Sequence, residues 1–184
     1  MTASLFSPFH SAHLDLPHRV VMAPLTRNRA PGQAPNEAMV EYYRQRANPA
    51  SGAALIVSEG TPISPMAHGY LDTPGIYTPE QVAGWRKVTD AVHAEGGKIV
   101  TQIWHVGRIS HTSLLPGGAQ PVSATAQPAR SKTYIAGGFA DVSAPRALRT
   151  EEIAGIVADY AHAARCAVEA GFDVDRAAEQ LVGV

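Results

Sequence analysis

Lys98-Ile99-Val100-Thr101-Gln102-Ile103-Trp104-His105-Val106-Gly107-Arg108 decides the fold class. The segment opens as an apolar run and ends in amide, indole, imidazole and guanidinium groups. Such a change marks the carboxyl end of a buried parallel strand, the end at which α/β sheets and barrels bind ligands. The pattern occurs twice upstream, at Val20-Val21-Met22-Ala23-Pro24-Leu25-Thr26-Arg27 and at Leu55-Ile56-Val57-Ser58-Glu59-Gly60-Thr61. Three strand ends are therefore expected to face one site.

Helical periodicity alternates with these strands. Residues 36–47 read as a helix capped by Asn36, with Met39, Val40 and Tyr43 on one face. Thr78-Pro79-Glu80-Gln81 carries a capping threonine, a proline suited to the first helical position and a glutamine that completes a capping box. Val82, Trp85, Val88 and Val92 follow at helical spacing, and Gly96-Gly97 ends the run. Thr150-Glu151-Glu152 opens a third helix, for which Ile153, Val157, Tyr160, Ala164 and Val168 are the expected inner stripe. Residues 109–149, rich in Pro, Gly, Ser and Ala, are too long for an ordinary connection and read as a functional excursion with some local structure. The alternation predicts parallel strands with right-handed crossovers. After Gly171 a fourth strand is due; Phe172-Asp173-Val174 begins one, but the polar and small residues that follow do not continue it.

Composition narrows the function. The 184 residues suit one domain with a core, short of the about 250 typical of a complete α/β barrel. A net charge of -1 gives no reason to expect nucleic acid or an anionic membrane. The amino terminus lacks the pattern of a signal peptide, and no apolar run approaches the about 20 residues of a spanning helix. A cytoplasmic protein is expected. Cys166 is the single cysteine and reads as a packed thiol. His10 and His13 have an H-x-x-H spacing but no third ligand nearby, so no metal is expected. Arg19, Arg27, Arg29 and Arg108 could meet a phosphate, although structural pairing is the commoner fate of arginine.

Pro24, Leu25 and Thr26 offer main-chain groups and one hydroxyl, a set suited to the polar edge of a planar heteroaromatic ligand. Gly60 permits close approach to the backbone. Gln102 brings a donor and an acceptor that match a ring edge carrying an imide, and Trp104 supplies an aromatic wall. Singly, Thr26 reads as a turn former, Gly60 as a strand terminator, Gln102 as a loop amide and Trp104 as core. Their joint placement at three strand ends favours a site. Another barrel enzyme, such as a phosphate-sugar isomerase, fits the alternation alone. The lack of a lysine or acid beside Gln102 and Trp104 argues against Schiff-base chemistry.

Several motifs together resemble the old yellow enzyme family, in its N-ethylmaleimide reductase-like, NADH:flavin oxidoreductase form. They are Arg19 to Arg27, Ser58-Glu59-Gly60-Thr61, Gly69-Tyr70, Thr73-Pro74-Gly75-Ile76-Tyr77, Gln102 to Ser110, Pro116-Gly117-Gly118, Pro121-Val122-Ser123-Ala124 and Pro145-Arg146-Ala147-Leu148. The resemblance covers about residues 5 to 173, in order. It implies an α/β fold, a TIM (β/α)8 barrel, that binds FMN at the carboxyl ends of its strands. Pro24, Leu25, Thr26, Gly60 and Gln102 would be cofactor-binding: Thr26 would bond the flavin carbonyl beside N5 and tune its potential, and Gln102 would bond the pyrimidine edge. Tyr70 and Trp104 would line the substrate pocket. The implied activity is an NADPH- or NADH-driven, FMN-dependent reduction of a small-molecule electrophilic alkene carrying a carbonyl or nitro group.

The resemblance stops near Asp173. The family's next strand bears a His-x-x-Asn or His-x-x-His pair followed by a proton-donor tyrosine, and residues 174–184 match neither. The expectation is therefore the amino-terminal part of the barrel, truncated or frameshifted after the third βα unit, with an unrelated tail at 174–184. Such a chain is expected to be inactive alone and to self-associate through exposed barrel edges. The alternative from another class is a non-catalytic half-barrel fragment or weak flavin-binding interaction module.

Overall fold

The computed structural model describes residues 4–11 and 14–173. In chain order they form β1 (Phe9–His10), β2 (Asp15–Leu16), β3 (Val21–Met22), α1 (Glu37–Arg44), β4 (Leu55–Pro62), α2 (Pro79–Ala94), β5 (Ile99–Trp104), β6 (Val122–Ser123), β7 (Lys132–Ile135), β8 (Gly138–Asp141), β9 (Arg146–Ala147) and α3 (Thr150–Glu169). β3, β4 and β5 make one parallel sheet in that order, and β1 pairs antiparallel with β2.

The expected strands are present, with changed limits. β3 pairs with β4 at only two positions, Val21 with Leu55 and Met22 with Ile56. Proline has no N–H to donate, so a ladder reaching Pro24 has nothing to offer there. β4 carries through the whole Leu55 to Thr61 stretch because the pairing with β5 shifts register between Val57 and Gly60 and then resumes as Gly60 with Gln102. That irregularity buries both Ser58 and Glu59.

Local chemistry sets the helix starts. Asn36 accepts the Met39 N–H at 3.1 Å ahead of α1. The Thr78 hydroxyl accepts the Gln81 N–H at 3.3 Å, and Gln81 Oε1 accepts the Thr78 N–H at 3.2 Å, completing the capping box of α2. One face of the sheet is sealed by a core that joins Met39 and Tyr43 of α1, Val82, Trp85, Val88 and Val92 of α2, and Ile56 and Ile99 of the sheet. Each of these large apolar side chains stabilises the fold by about 1.5–3 kcal/mol through burial. The opposite face carries Val21 and Gln102 exposed and Val57 and Val100 half-buried.

α3 departs from the expected stripe. Ile153, Val157 and Val168 are 51%, 62% and 46% exposed. The buried face is Ala163, Cys166, Ala167 and Ala170, and only Tyr160 of the expected set packs on the core. Small residues let α3 approach α2 closely, close enough for the Thr89 hydroxyl to donate to Ala170 O at 2.6 Å. The larger apolar residues are thereby rotated outward. Cys166 is a buried free thiol, and burial raises its pKa. Beyond the helix, Phe172 packs on Trp85 with ring centroids 5.2 Å apart. Asp173 N–H donates to Ile99 O at 2.8 Å, and its carboxylate accepts the Ile99 N–H at 2.7 Å. Phe172 and Asp173 thus lie beside the start of β5, where the sequence places a fourth strand; the expected tail at 174–184 lies outside the described residues. His13 does too, and His10 pairs with Asp15 at 2.8 Å.

The excursion is structured. β6 pairs with β9, and β7 and β8 form a hairpin whose turn contains Gly137 at φ 94°. Among the described residues, no helix is long and apolar enough to cross a membrane.

The connection after β4 is locked by His68. The ring is buried, with Nδ1 3.2 Å from the Thr73 hydroxyl and Nε2 3.0 Å from that of Tyr77. Burial pushes its pKa from 6.5 down to about 4. Between these values the unfolded chain binds the extra proton, so stability is full above pH 6.5 and falls as pH drops toward 4. The full effect is about 3 kcal/mol. Urea unfolding at a series of pH values is expected to show this loss in the parent protein. His68→Gln flattens that part of the profile; an unchanged slope would contradict the assignment.

Candidate functional site

The segment after β3, the connection after β4 and the carboxyl end of β5 meet at a cavity of about 490 Å³. Thr26, Arg27, Asn28 and Arg29 form one wall, Tyr70 and Trp104 a second, and Tyr134 and Phe139 of the β7–β8 hairpin a third. Tyr70 and Trp104 stack with centroids 6.2 Å apart and planes 27° apart. Tyr134 and Phe139 meet edge to face at 5.4 Å. The hairpin is tied to this end of the sheet by the Leu71 N–H, which donates to Tyr134 O at 2.9 Å, and by the Thr133 hydroxyl, which donates to Gly69 O.

Thr26, Tyr70 and Trp104 therefore share one cavity. Gly60 is buried against Trp104: a Cβ at position 60 would lie 2.6 Å from indole carbons. Gln102 is the register partner of Gly60, and its side chain is exposed. Pro24 and Leu25 flank the cavity without lining it; Leu25 is exposed and Pro24 half-buried. Among the described residues, neither the Thr26 hydroxyl nor the Gln102 amide group has a hydrogen-bond partner. The Trp104 indole N–H is buried and also unpartnered. Thr26 and Gln102 are solvent-exposed, so of these three groups the indole N–H alone is hidden from water without a partner; together with the backbone at Gly60 they offer polar and aromatic groups of the kind that hold a flat, hydrogen-bonding ring.

Behind this surface lies a cluster that the strand-end pattern did not single out. Glu59 is 1% exposed and binds the Arg27 guanidinium. The Tyr43 hydroxyl donates to Glu59 Oε1 at 3.3 Å and accepts the Glu59 N–H at 2.9 Å. Burial, reinforced by the Glu59 carboxylate, raises the Tyr43 pKa. Arg27 thus has a structural partner, the commoner of the two fates open to it. The signal available in the sequence was adjacency, since Arg27 follows Thr26 and Glu59 precedes Gly60. The contribution of Tyr134 and Phe139 had no such signal, because hairpin placement over the sheet is a long-range property.

A second cavity of about 490 Å³ lies between α3 and the excursion, lined by His105, Arg146, Glu152 and Asp159 among others. Its strongest charges are already matched: Arg146 binds Glu152 through two 2.8 Å contacts. Burial lowers the His105 pKa, with Asp159 opposing. None of the strand-end residues Thr26, Gly60, Gln102 or Trp104 lines it. Among the described residues, no group of three metal-ligating side chains comes together.

Comparisons with known proteins point in one direction. A family model described as NADH:flavin oxidoreductase / NADH oxidase matches residues 4–175. The chain is 47% identical over 174 residues to 12-oxophytodienoate reductase 7 of Oryza sativa subsp. japonica, covering 93% of this chain and 43% of that protein. It is 45% identical over 174 residues to flavin oxidoreductase hxnT of Emericella nidulans, covering 92% and 44%. Among solved structures, morphinone reductase in complex with tetrahydroNAD superposes with a TM-score of 0.87 at 49% identity, covering 94% of this chain and 48% of that one. The old yellow enzyme homologue from Zymomonas mobilis superposes with a TM-score of 0.86 at 42% identity, covering 92% and 46%. The chain spans about half the length of these relatives.

The close contact of Gly60 with Trp104 is testable without a ligand. Gly60→Ala is expected to push the indole off the strand, red-shift its emission and cost about 1–3 kcal/mol. Tryptophan fluorescence in a Trp85→Phe background isolates the signal, and an unshifted spectrum would show that the indole does not rest there.

Proposed function

The chain belongs to the NADH:flavin oxidoreductase / NADH oxidase family, and on that footing we propose that it carries the flavin-binding face of an FMN-dependent reductase of activated alkenes. The three-stranded sheet with its helices on one side is then an arc of a (β/α)8 barrel. The observation that carries the reading is the chain of contacts that links Gly60 to Trp104, Trp104 to the cavity it shares with Thr26 and Tyr70, and Gly60 to its register partner Gln102.

The donor set fits a flavin. The ring edge of FMN presents two carbonyls flanking an N–H, and Gln102 offers both a donor and an acceptor to it. Thr26 would donate to the carbonyl nearest the reactive nitrogen, and Pro24 and Leu25 would face the ring with main-chain groups. Gly60 would meet the ring once the Trp104 indole swings aside, and the unpartnered indole N–H has no hydrogen bond to lose in that movement. Tyr70 and Trp104 would bound the substrate. When bound, the flavin would supply hydride transfer from NADPH or NADH to the β-carbon of an alkene bearing a carbonyl or nitro group. The residues of this chain hold and orient the ring, set its hydrogen bonding and wall the substrate with aromatic surface.

One set of measurements tests flavin binding and turnover separately. FMN titrated into the purified protein is expected to lose fluorescence and to change tryptophan emission. Gln102→Ala removes two hydrogen bonds and weakens binding about 5- to 50-fold. NADPH oxidation in the presence of 2-cyclohexenone supports the reductase reading. Flavin binding without that oxidation overturns the alkene-reductase reading, and no flavin binding at all overturns the flavin-binding face as well.

A further inference from the structure

Thr26 lies in a stretch, residues 23–30, that forms no helix or strand. Its position is therefore tied to the anchors of the two residues that follow it. Asn28 adopts a left-handed φ of 55° and its amide donates to Leu71 O at 2.5 Å. Arg27 reaches toward the core. Its guanidinium lies 3.6 Å from the Tyr42 ring centroid and 5.0 Å from that of Tyr43. It donates through Nε at 3.1 Å and through Nη2 to Glu59 Oε1. Glu59 immediately precedes Gly60 on β4 and is held from behind by Tyr43.

We propose that the buried Arg27–Glu59 pair is a positioning device that fixes Thr26 relative to Gly60, and so sets the spacing across the flavin-binding face; this rests on the flavin reading above. The pair joins the immediate neighbours of two site residues, one on the segment after β3 and one on β4. A planar guanidinium stacked on a ring and bonded to a carboxylate has few other orientations open to it. The arrangement is poorly suited to being a stabilising element alone. Both guanidinium contacts fall on one carboxylate oxygen, and Glu59 Oε2 is buried without a partner. Buried ion pairs are often matched in stability by apolar residues of similar volume, whereas apolar contacts lack their directional constraint.

The test uses the whole chain and three variants: Arg27→Met with Glu59→Gln, which removes both charges together; Arg27→Lys, which keeps the charge but loses the fork; and Thr26→Ala as reference. Amide hydrogen exchange is measured without flavin. Exchange at residues 23–28 and 58–61 is expected to rise at least about tenfold in the double variant, with α2 unchanged. Arg27→Lys gives a smaller rise and serves alone if the double variant does not fold. With FMN bound, the midpoint potential is expected to move in the same direction as in Thr26→Ala. Exchange that matches the parent, or that loosens α2 equally, overturns the proposal. An unchanged potential in a variant that still binds FMN does so as well. If the parent binds no FMN, the flavin reading fails, and the exchange data still decide whether the pair holds Thr26.

Discussion

The buried carboxylate of Glu59 is the group on which the architecture turns. It sits where the ladder between β4 and β5 slips register, so it points into the helical side of the sheet while its neighbour Gly60 rejoins the pairing. An isolated carboxylate could not be held there, because charge removed from water needs a partner. Arg27, Tyr43 and the stacked ring of Tyr42 supply that environment, and they come from the segment after β3 and from α1. One ionisable side chain thus binds together the strand ends and the helix that covers them. The cost of hiding it explains why so many polar contacts converge behind a surface that otherwise looks apolar.

The front of that surface has the opposite character. The Thr26 hydroxyl and the Gln102 amide group have no protein partner among the described residues, and the indole N–H of Trp104 is buried without one. The hairpin of β7 and β8 adds two aromatic rings over the same cavity. The site is therefore a platform made by parallel strands and roofed by the excursion, and the roof is anchored through main-chain atoms of the loop that also carries Tyr70.

Much of this was legible from local signals. The capping box at Thr78, the Asn36 cap and the strand ends at Gly60 and Gln102 follow from short-range rules, and the structure places elements there. The errors came where tertiary context decides. The stripe of Ile153, Val157 and Val168 satisfies helical periodicity, yet the face rich in alanine is the one that packs, because close approach to α2 outweighs side-chain size. The short extent of β3 is written in Pro24, whereas the slip in β4 follows from its pairing with β5 and is not written in the strand's own residues. The Arg27–Glu59 pair spans 32 positions, beyond the reach of any periodic pattern.

The contact between Asp173 and Ile99 spans 74 positions. Closing so wide a loop costs chain entropy that no nearby contact offsets at the moment of closure. The contacts of α1 with α2 and of β4 with β5 join segments closer in the chain. The contacts of α3 and its trailing residues with the platform are thus the ones that carry the larger closure cost. Phe172 also covers part of the Trp85 indole, so the same segment is what keeps apolar aromatic surface of the platform away from water and from neighbouring molecules.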